Sequence, residues 1–427
     1  MREFHPVVML VHGINTHAHW QKTAQEVFAD AKITPRVFDE YISVPAFLMP
    51  WKRKKKIAQF LDWYTAKEDE LHLDLDDPYQ RPSVVAHSFG TWFVARCMLK
   101  HPEVRFDKMI LLGGILPPGF PWHELFLRDQ VQSVRNECGW GDVWAGSVRR
   151  FVPETGPSGR DGFRQRNVHG LSDENYEDFE HSAYFYKKHM AQWVKTISRP
   201  PLDLRVRHGA EIEHGYVETL DRTHLIDVDN FKEDPAFAQA DIPRGLSTKW
   251  IGVNEDLYTF LVDSGEHPQG YINAMPLTQE AYDKVRKGLL DDNEIEDKHI
   301  VPYAPGAEID IYLMSIAIAK AVRRENDGLL SRPLDKLLNA FVYKLVRYAR
   351  DKGIIVRRLL AVGWTTQGQK LCAHLGMDPT GGTDKHGHPI YELELLSSDV
   401  MKKKRLFAGI PKLVSVMRSE AGRQAGR

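Results

Sequence analysis

The chain has 427 residues, 42% of them hydrophobic and 27% charged, a soluble globular composition on a length that calls for two or three domains. Lys plus Arg number 57 against 58 Asp plus Glu, so the net charge of −1 excludes a chain-wide pull towards nucleic acid or an anionic membrane. Cys97, Cys138 and Cys372 are too few and too scattered for a disulfide framework or a cysteine-rich metal centre. No apolar run reaches the length of about 18 residues that a membrane span needs. A cytoplasmic, reducing setting without a bound metal is expected.

In chain order, the first half alternates short β-branched runs with amphipathic stretches, the rhythm of a parallel sheet covered by helices. Strands are expected at Val7–Val11, Arg36–Ile42, Ser83–Ala86, Lys108–Leu112 and Gln132–Val134, and helices at Trp20–Lys32, Lys56–Glu70, Thr91–His101 and Ala183–Ile197. Ser198-Arg199-Pro200-Pro201 stops the last helix, because consecutive prolines remove donors and hold the chain extended. Domains are therefore expected over 1–199 and 222–400, joined by a polar connector over 200–221 and followed by a basic tail over 401–427.

The sharpest local signal is Val84-Val85-Ala86-His87-Ser88-Phe89-Gly90-Thr91, an apolar strand running through small residues into a helix. Such a turn exposes a serine hydroxyl beside the positive end of the helix. Upstream, Val7–Val11 runs into His12-Gly13-Ile14-Asn15. Downstream, Asp142 stands in the Gly-flanked turn Cys138-Gly139-Trp140-Gly141-Asp142, with Asp161 and Asp173 as competing acids. Glu180-His181-Ser182 precedes the last helix, with His169 and His189 as competing histidines. Together these pieces resemble the α/β-hydrolase family over about Met1–Ile197. The resemblance implies a mainly parallel sheet with helices on both faces. It also implies a nucleophile at Ser88, an acid at Asp142, a base at His181, and an oxyanion hole from the backbone N–H groups of Ile14 and Phe89. The substrate would be a small-molecule or peptide ester, thioester or amide. Between Leu112 and Gln132 there is no room for a long lid, and Phe120 and Trp122 are candidate pocket walls or packing residues.

In the second half Leu257–Asp263 and Gly270–Met275 read as an antiparallel hairpin, and Ile309–Ile318 as a long strand. A helix from Pro333 to Gly353 follows, then a strand at Ile354–Val362, a helix at Gln367–Leu375 and a strand at Ile390–Leu396. This order, with Thr365 to Met377 as its most recognisable piece, resembles the GNAT acetyltransferase family over about Leu225–Leu396. The resemblance implies an α+β mixed sheet and a site for acetyl-CoA or another acyl-CoA on the loop carrying Arg323, Arg324, Gly328 and Ser331. Cys372 stands where many relatives carry a tyrosine that protonates the departing thiolate. The alternatives to a hydrolase are thus a CoA-dependent N-acetyltransferase and a non-catalytic scaffold. The basic runs Lys52–Lys56 and Lys402–Arg405 are read as solvated faces, not as nucleic-acid or lipid contacts. His386 and His388 are read as turn residues, since no further ligand stands at metal spacing.

Overall fold

A computed structural model describes residues 3–13, 19–40, 42–142, 152, 154–164, 170–180, 183–212, 215–232, 242, 245–323, 332–397 and 409–425. The chain divides into two compact units, Met1–Asp203 and Leu204–Arg427.

The first unit is built on six strands, β1 (Val7–Val11), β2 (Thr34–Phe38), β3 (Ser83–His87), β4 (Phe106–Leu112), β5 (Val131–Gly139) and β6 (Leu171–Tyr176). They lie in the order β2-β1-β3-β4-β5-β6, with every pairing parallel. Between them run α1 (His19–Asp30), α2 (Val44–Leu48), α3 (Pro50–Leu71), α4 (Phe89–Lys100), α5 (Trp122–Leu127), α6 (Ser158–Asp161) and α7 (Lys187–Ile197). Alternation along the strands divides the core in two. Val8, Leu10, Val85, Ile110 and Leu112 meet Trp20, Phe28, Met190 and Trp193 of α1 and α7. Met9, Val11, Val84, Ala86, Met109 and Leu111 meet Phe60, Phe93 and Leu125 of α3, α4 and α5. Burial on both faces is why these strands read as unbroken apolar runs.

The second unit holds β7 (Arg205–His208), β8 (Tyr258–Val262), β9 (Pro268–Leu277), β10 (Glu308–Ile318), β11 (Ile355–Val362), β12 (Asp378–Thr383) and β13 (Pro389–Glu394). Their order is β12-β13-β11-β10-β9-β8-β7. Only the β10–β11 pairing is parallel among the described pairings. Leu220 and Ile226 of α8 (Tyr216–Phe231), Trp250 of α9 (Leu246–Val253) and Tyr282 of α10 (Gln279–Arg286) cover one face. The crossover from β10 to β11 is α11 (Arg332–Lys352); α12 (Thr366–His374) follows β11, and α13 (Ile410–Ala425) comes last.

Two expectations change here, and one alternative is decided. The stretch read as a connector holds β7 and the start of α8, so it belongs to the second core. The stretch read as a tail holds α13, whose Leu413, Val414 and Met417 are fully buried; its Lys402–Arg405 run lies outside the described residues. Phe120 and Trp122 are both buried, with ring centroids 4.8 Å apart, and Trp122 meets Phe163 edge-on; they are packing residues.

Candidate functional sites

In the first unit the strand order reverses between β1 and β3, because the chain leaves β1 towards β2 on one side and returns to β3 on the other. Ligands of open α/β sheets bind outside the carboxyl ends of strands at such a switch point. Val11 pairs with Ala86, which sets the tips His12-Gly13 and His87-Ser88 side by side. The rings of His12 and His87 stack at 5.3 Å, and Trp20 Nε1 donates to His12 Nδ1 at 2.9 Å. His12 therefore serves to shape the turn.

Ser88 is the residue on which the strand turns into α4. Its backbone sits at φ 55, ψ −126, a left-handed conformation that costs a non-glycine residue about 1–3 kcal/mol and persists only where the surroundings over-determine it. They do so here. Its N–H donates to Leu112 O at 3.0 Å, and its carbonyl accepts from Thr91 N at 3.0 Å and from Thr91 Oγ1 at 2.7 Å. Thr91 Oγ1 in turn accepts from Ile115 N. A Cβ on Gly13 would stand 2.4 Å from Phe89 N, and one on Gly90 would stand 2.8 Å from Val11 O. Those two glycines are what allow the turn after β1 to close on the first residue of α4. Phe89 N, at the start of α4, thus lies close against Gly13; Ile14 lies outside the described residues.

Asp142 follows β5 through Trp140 and Gly141. It is fully buried, and its N–H donates to Gly139 O at 3.1 Å. A Cβ on Gly139 would meet Phe179 O at 2.4 Å, and one on Gly141 would meet it at 3.2 Å, so this turn is packed against the segment Phe179-Glu180. His181 is the next residue, and it and the competing His169 lie outside the described residues. The other competitors are occupied elsewhere. Asp173, on β6, accepts from Asn136 Nδ2 at 2.7 Å and from Phe163 N at 3.0 Å. Asp161 is exposed and pairs with Arg160. His189, the other competing histidine, is buried, with Nε2 2.6 Å from Glu137 Oε2. That carboxylate also takes Trp193 Nε1 at 3.3 Å, and its other oxygen takes Arg135 Nε at 2.9 Å, so His189 is held by Glu137 within one hydrogen-bonded group.

In the second unit the informative feature is where two strands part. β11 pairs with β10 only as far as Leu313↔Ala361, while β9 follows β10 to Ile318. Among the described residues no strand covers the β11-side edge of 314–318. On the face covered by α8, Tyr271 Oη of β9 lies 2.9 Å from Ser315 Oγ of β10 and donates to Asp227 on α8. Burial first, and Asp227 second, hold the Tyr271 phenol well above its ordinary value. One turn of pleat away Tyr312 Oη donates to Asp292 at 2.6 Å, and burial pushes the Asp292 carboxyl up to about 7. At the β12–β13 tip His388 Nδ1 lies 2.9 Å from Asp384 Oδ2, its ring stacked on Trp364 at 4.6 Å. The described residues hold no metal-binding cluster.

Of the residues expected to cradle an acyl-CoA phosphate, Arg323 is exposed, and its Nη2 donates to Ile318 O at 2.7 Å and to Asn230 Oδ1, tying α8 to the end of β10. Arg324, Gly328 and Ser331 lie outside the described residues. Cys372 is buried, and burial pushes its thiol up to about 12, so it is a poor proton donor. Asp227, Tyr271 and Ser315 were not gathered as a site from sequence. Their only advance signal is polar residues recurring inside otherwise apolar elements.

No protein-family model matches the chain, and no curated protein matches it. Solved structures similar to it align with somewhat less than half of the chain. An uncharacterized protein from Bacillus cereus ATCC 10987 is 14% identical over 47% of this chain, with a TM-score of 0.34; the match spans 62% of that protein, less than two thirds of its length. A GNAT-family acetyltransferase from Listeria monocytogenes 4b F2365 is 11% identical over 45% of this chain and 94% of its own, with a TM-score of 0.29. A protein assigned to the α/β hydrolase superfamily, from Xanthomonas campestris pv. campestris, is 15% identical over 45% of this chain and 99% of its own, with a TM-score of 0.28. α/β-Hydrolase and GNAT structures both stand among the neighbours, each against a part of the chain.

Proposed function

We propose that the first unit is a serine hydrolase acting on an ester, thioester or amide. The observation that supports this most is the Ser88 backbone, at φ 55 between a fully buried strand and a helix. A strained turn held by Leu112, Thr91, Gly13 and Gly90 has no structural task that an unstrained turn would not perform at lower cost. In the reaction, Ser88 Oγ attacks the acyl carbonyl carbon while His181 takes the hydroxyl proton. The carbonyl oxygen becomes an oxyanion and accepts from the N–H groups of Phe89 and Ile14. Collapse of the tetrahedral intermediate breaks the bond to the leaving group, which receives the proton from His181. Water, deprotonated by the same imidazole, then releases the acyl group as an acid and restores Ser88. Asp142 holds the imidazole in the right tautomer and stabilises its positive charge. The test is hydrolysis of short-chain activated esters by the full chain and by Ser88→Ala. The variant should retain the fold and lose several orders of magnitude in kcat, leaving only what the oxyanion hole and binding supply. Full activity in the variant would refute the reading.

The uncovered edge of β10 favours a second activity for the second unit, the binding of acyl-CoA. Backbone N–H and C=O groups of 314–317, short of the Ile318 carbonyl that Arg323 and Asn230 occupy, can pair with an extended, amide-containing arm as a strand would. An acyl-CoA would supply an activated thioester. This chain would hold its arm on β10, with Asp227 and Tyr271 fixing the Ser315 hydroxyl beside it. Acetyl-CoA should raise the melting temperature of the full chain by linkage; no shift at saturating acetyl-CoA would limit this unit to a shared fold.

A further inference from the structure

Where α2 meets α3, the first unit exposes an apolar tip. Three of the eight large apolar side chains left exposed among the described residues fall within four positions here: Leu48 at 44%, Met49 at 39% and Trp51 at 64%. The corner is rigid. Pro50 starts α3, and Arg53, itself buried, donates to the carbonyls of Phe47 at 2.8 Å and Leu48 at 3.1 Å, with its guanidinium 5.7 Å from the ring centres of Phe47 and Trp92. Buried cations are thus spent on fixing the turn, while apolar side chains are held out in water. Free energy of that kind is recovered only by burial against something else.

The same turn carries five consecutive cations, Lys52 to Lys56. Arg53 and Lys56 point inward, Lys56 to Glu40 at 3.0 Å. Lys52, Lys54 and Lys55 are exposed and make no ion pair among the described residues. Lys52 and Lys55 line a cleft of about 420 Å3 beside the tip, facing Asp39, Glu40 and Ser43. An indole and two aliphatic side chains, rimmed by three uncommitted ammonium groups, match the layering of an anionic bilayer surface. Trp and Leu sit at the acyl boundary, and Lys reaches the phosphates.

We propose that this tip docks the protein on anionic membrane surfaces, with Leu48, Met49 and Trp51 inserted and Lys52, Lys54 and Lys55 on the headgroups. The reading of the lysine run as a solvated face is replaced by one in which three of its cations are solvated only until they meet lipid. The surface is peripheral: no helix among the described residues is long and apolar enough to cross a membrane. The proposal does not depend on either activity proposed above.

The experiment is co-sedimentation of the full-length protein with phosphatidylcholine vesicles, with and without phosphatidylglycerol. Binding should require the anionic lipid and fall with added salt. Replacing Lys52, Lys54 and Lys55 together by Gln should lower the partition coefficient about a hundredfold, at about fivefold per lysine. Trp51→Ala should lower it about tenfold. Leu289→Ala, an exposed apolar side chain in the other unit, should leave it unchanged. Since all these side chains are exposed, the variants should keep the wild-type melting temperature, which separates loss of docking from loss of fold. Equal binding to neutral vesicles, or binding indifferent to the lysine variant, would overturn the proposal. So would a tip that leaves vesicles alone but binds single-stranded DNA or a second copy of the chain.

Discussion

The two units hold the side chains proposed to act by opposite means. In the first, Ser88 stands at a point of backbone strain that close-packed glycines hold in place. In the second, Asp227, Tyr271 and Ser315 satisfy one another on the face under α8, next to the place where two strands part. The difference teaches what each arrangement suits. Strain fixes one atom to a fraction of an ångström, as a nucleophile requires, whereas an open strand edge offers a row of donors and acceptors to an extended ligand.

The comparison is broken most severely at the triad. Asp142→Asn should preserve the fold and lower kcat for ester hydrolysis about 10⁴-fold. Asp173→Asn should instead lower stability by about 1–3 kcal/mol, read by denaturant unfolding, with kcat per folded molecule unchanged, because that carboxylate accepts from Asn136 and Phe163 N. The reverse pattern would transfer the acid to β6. A smaller loss, about a hundredfold in kcat, is expected of Gly13→Ala, whose Cβ must push the turn away from Phe89 N and so widen the oxyanion site.

The second unit gives the smallest effect, and one with a pH signature. Asp292 ionises at about 7 in the folded protein against an ordinary value of 3.8, chiefly through burial, with Asp291 and Asp384 pushing the same way and the Tyr312 hydrogen bond opposing. Between those values the folded state holds a proton that the unfolded chain has released. The stability this contributes is complete below the ordinary value and is lost as pH rises through about 7. Asp292→Asn keeps an acceptor for Tyr312 and cannot ionise. It should therefore be more stable than wild type at about pH 8, by about 1–2 kcal/mol, and show a flatter pH dependence of unfolding.

Much of the first fold was legible because its strands are buried on both faces: Val7–Val11 is β1 to the residue. Leu171–Tyr176 was not, since β6 is an edge strand of the sequence Leu-Ser-Asp-Glu-Asn-Tyr, none of whose residues is fully buried. In the second half β12 escaped for a similar reason, its Asp-Pro-Thr-Gly-Gly-Thr carrying no apolar side chain to mark it. α8 could have been found, because Leu220, Thr223 and Ile226 recur at helical spacing, but the polar residues before it read as a connector. Ser88 was legible because a serine between small residues after an apolar strand is a local pattern. The Glu137–His189–Trp193 network was not, because it joins residues more than 50 positions apart whose types alone do not predict pairing.

The central claim is that Ser88 is an activated nucleophile. The most direct measurement is to treat the full-length protein with a fluorophosphonate and map the adduct by peptide mass spectrometry. The account predicts a single stoichiometric adduct on Ser88, formed slowly or not at all in Asp142→Asn. An adduct on another serine, or an unmodified Ser88 in folded protein, would contradict it.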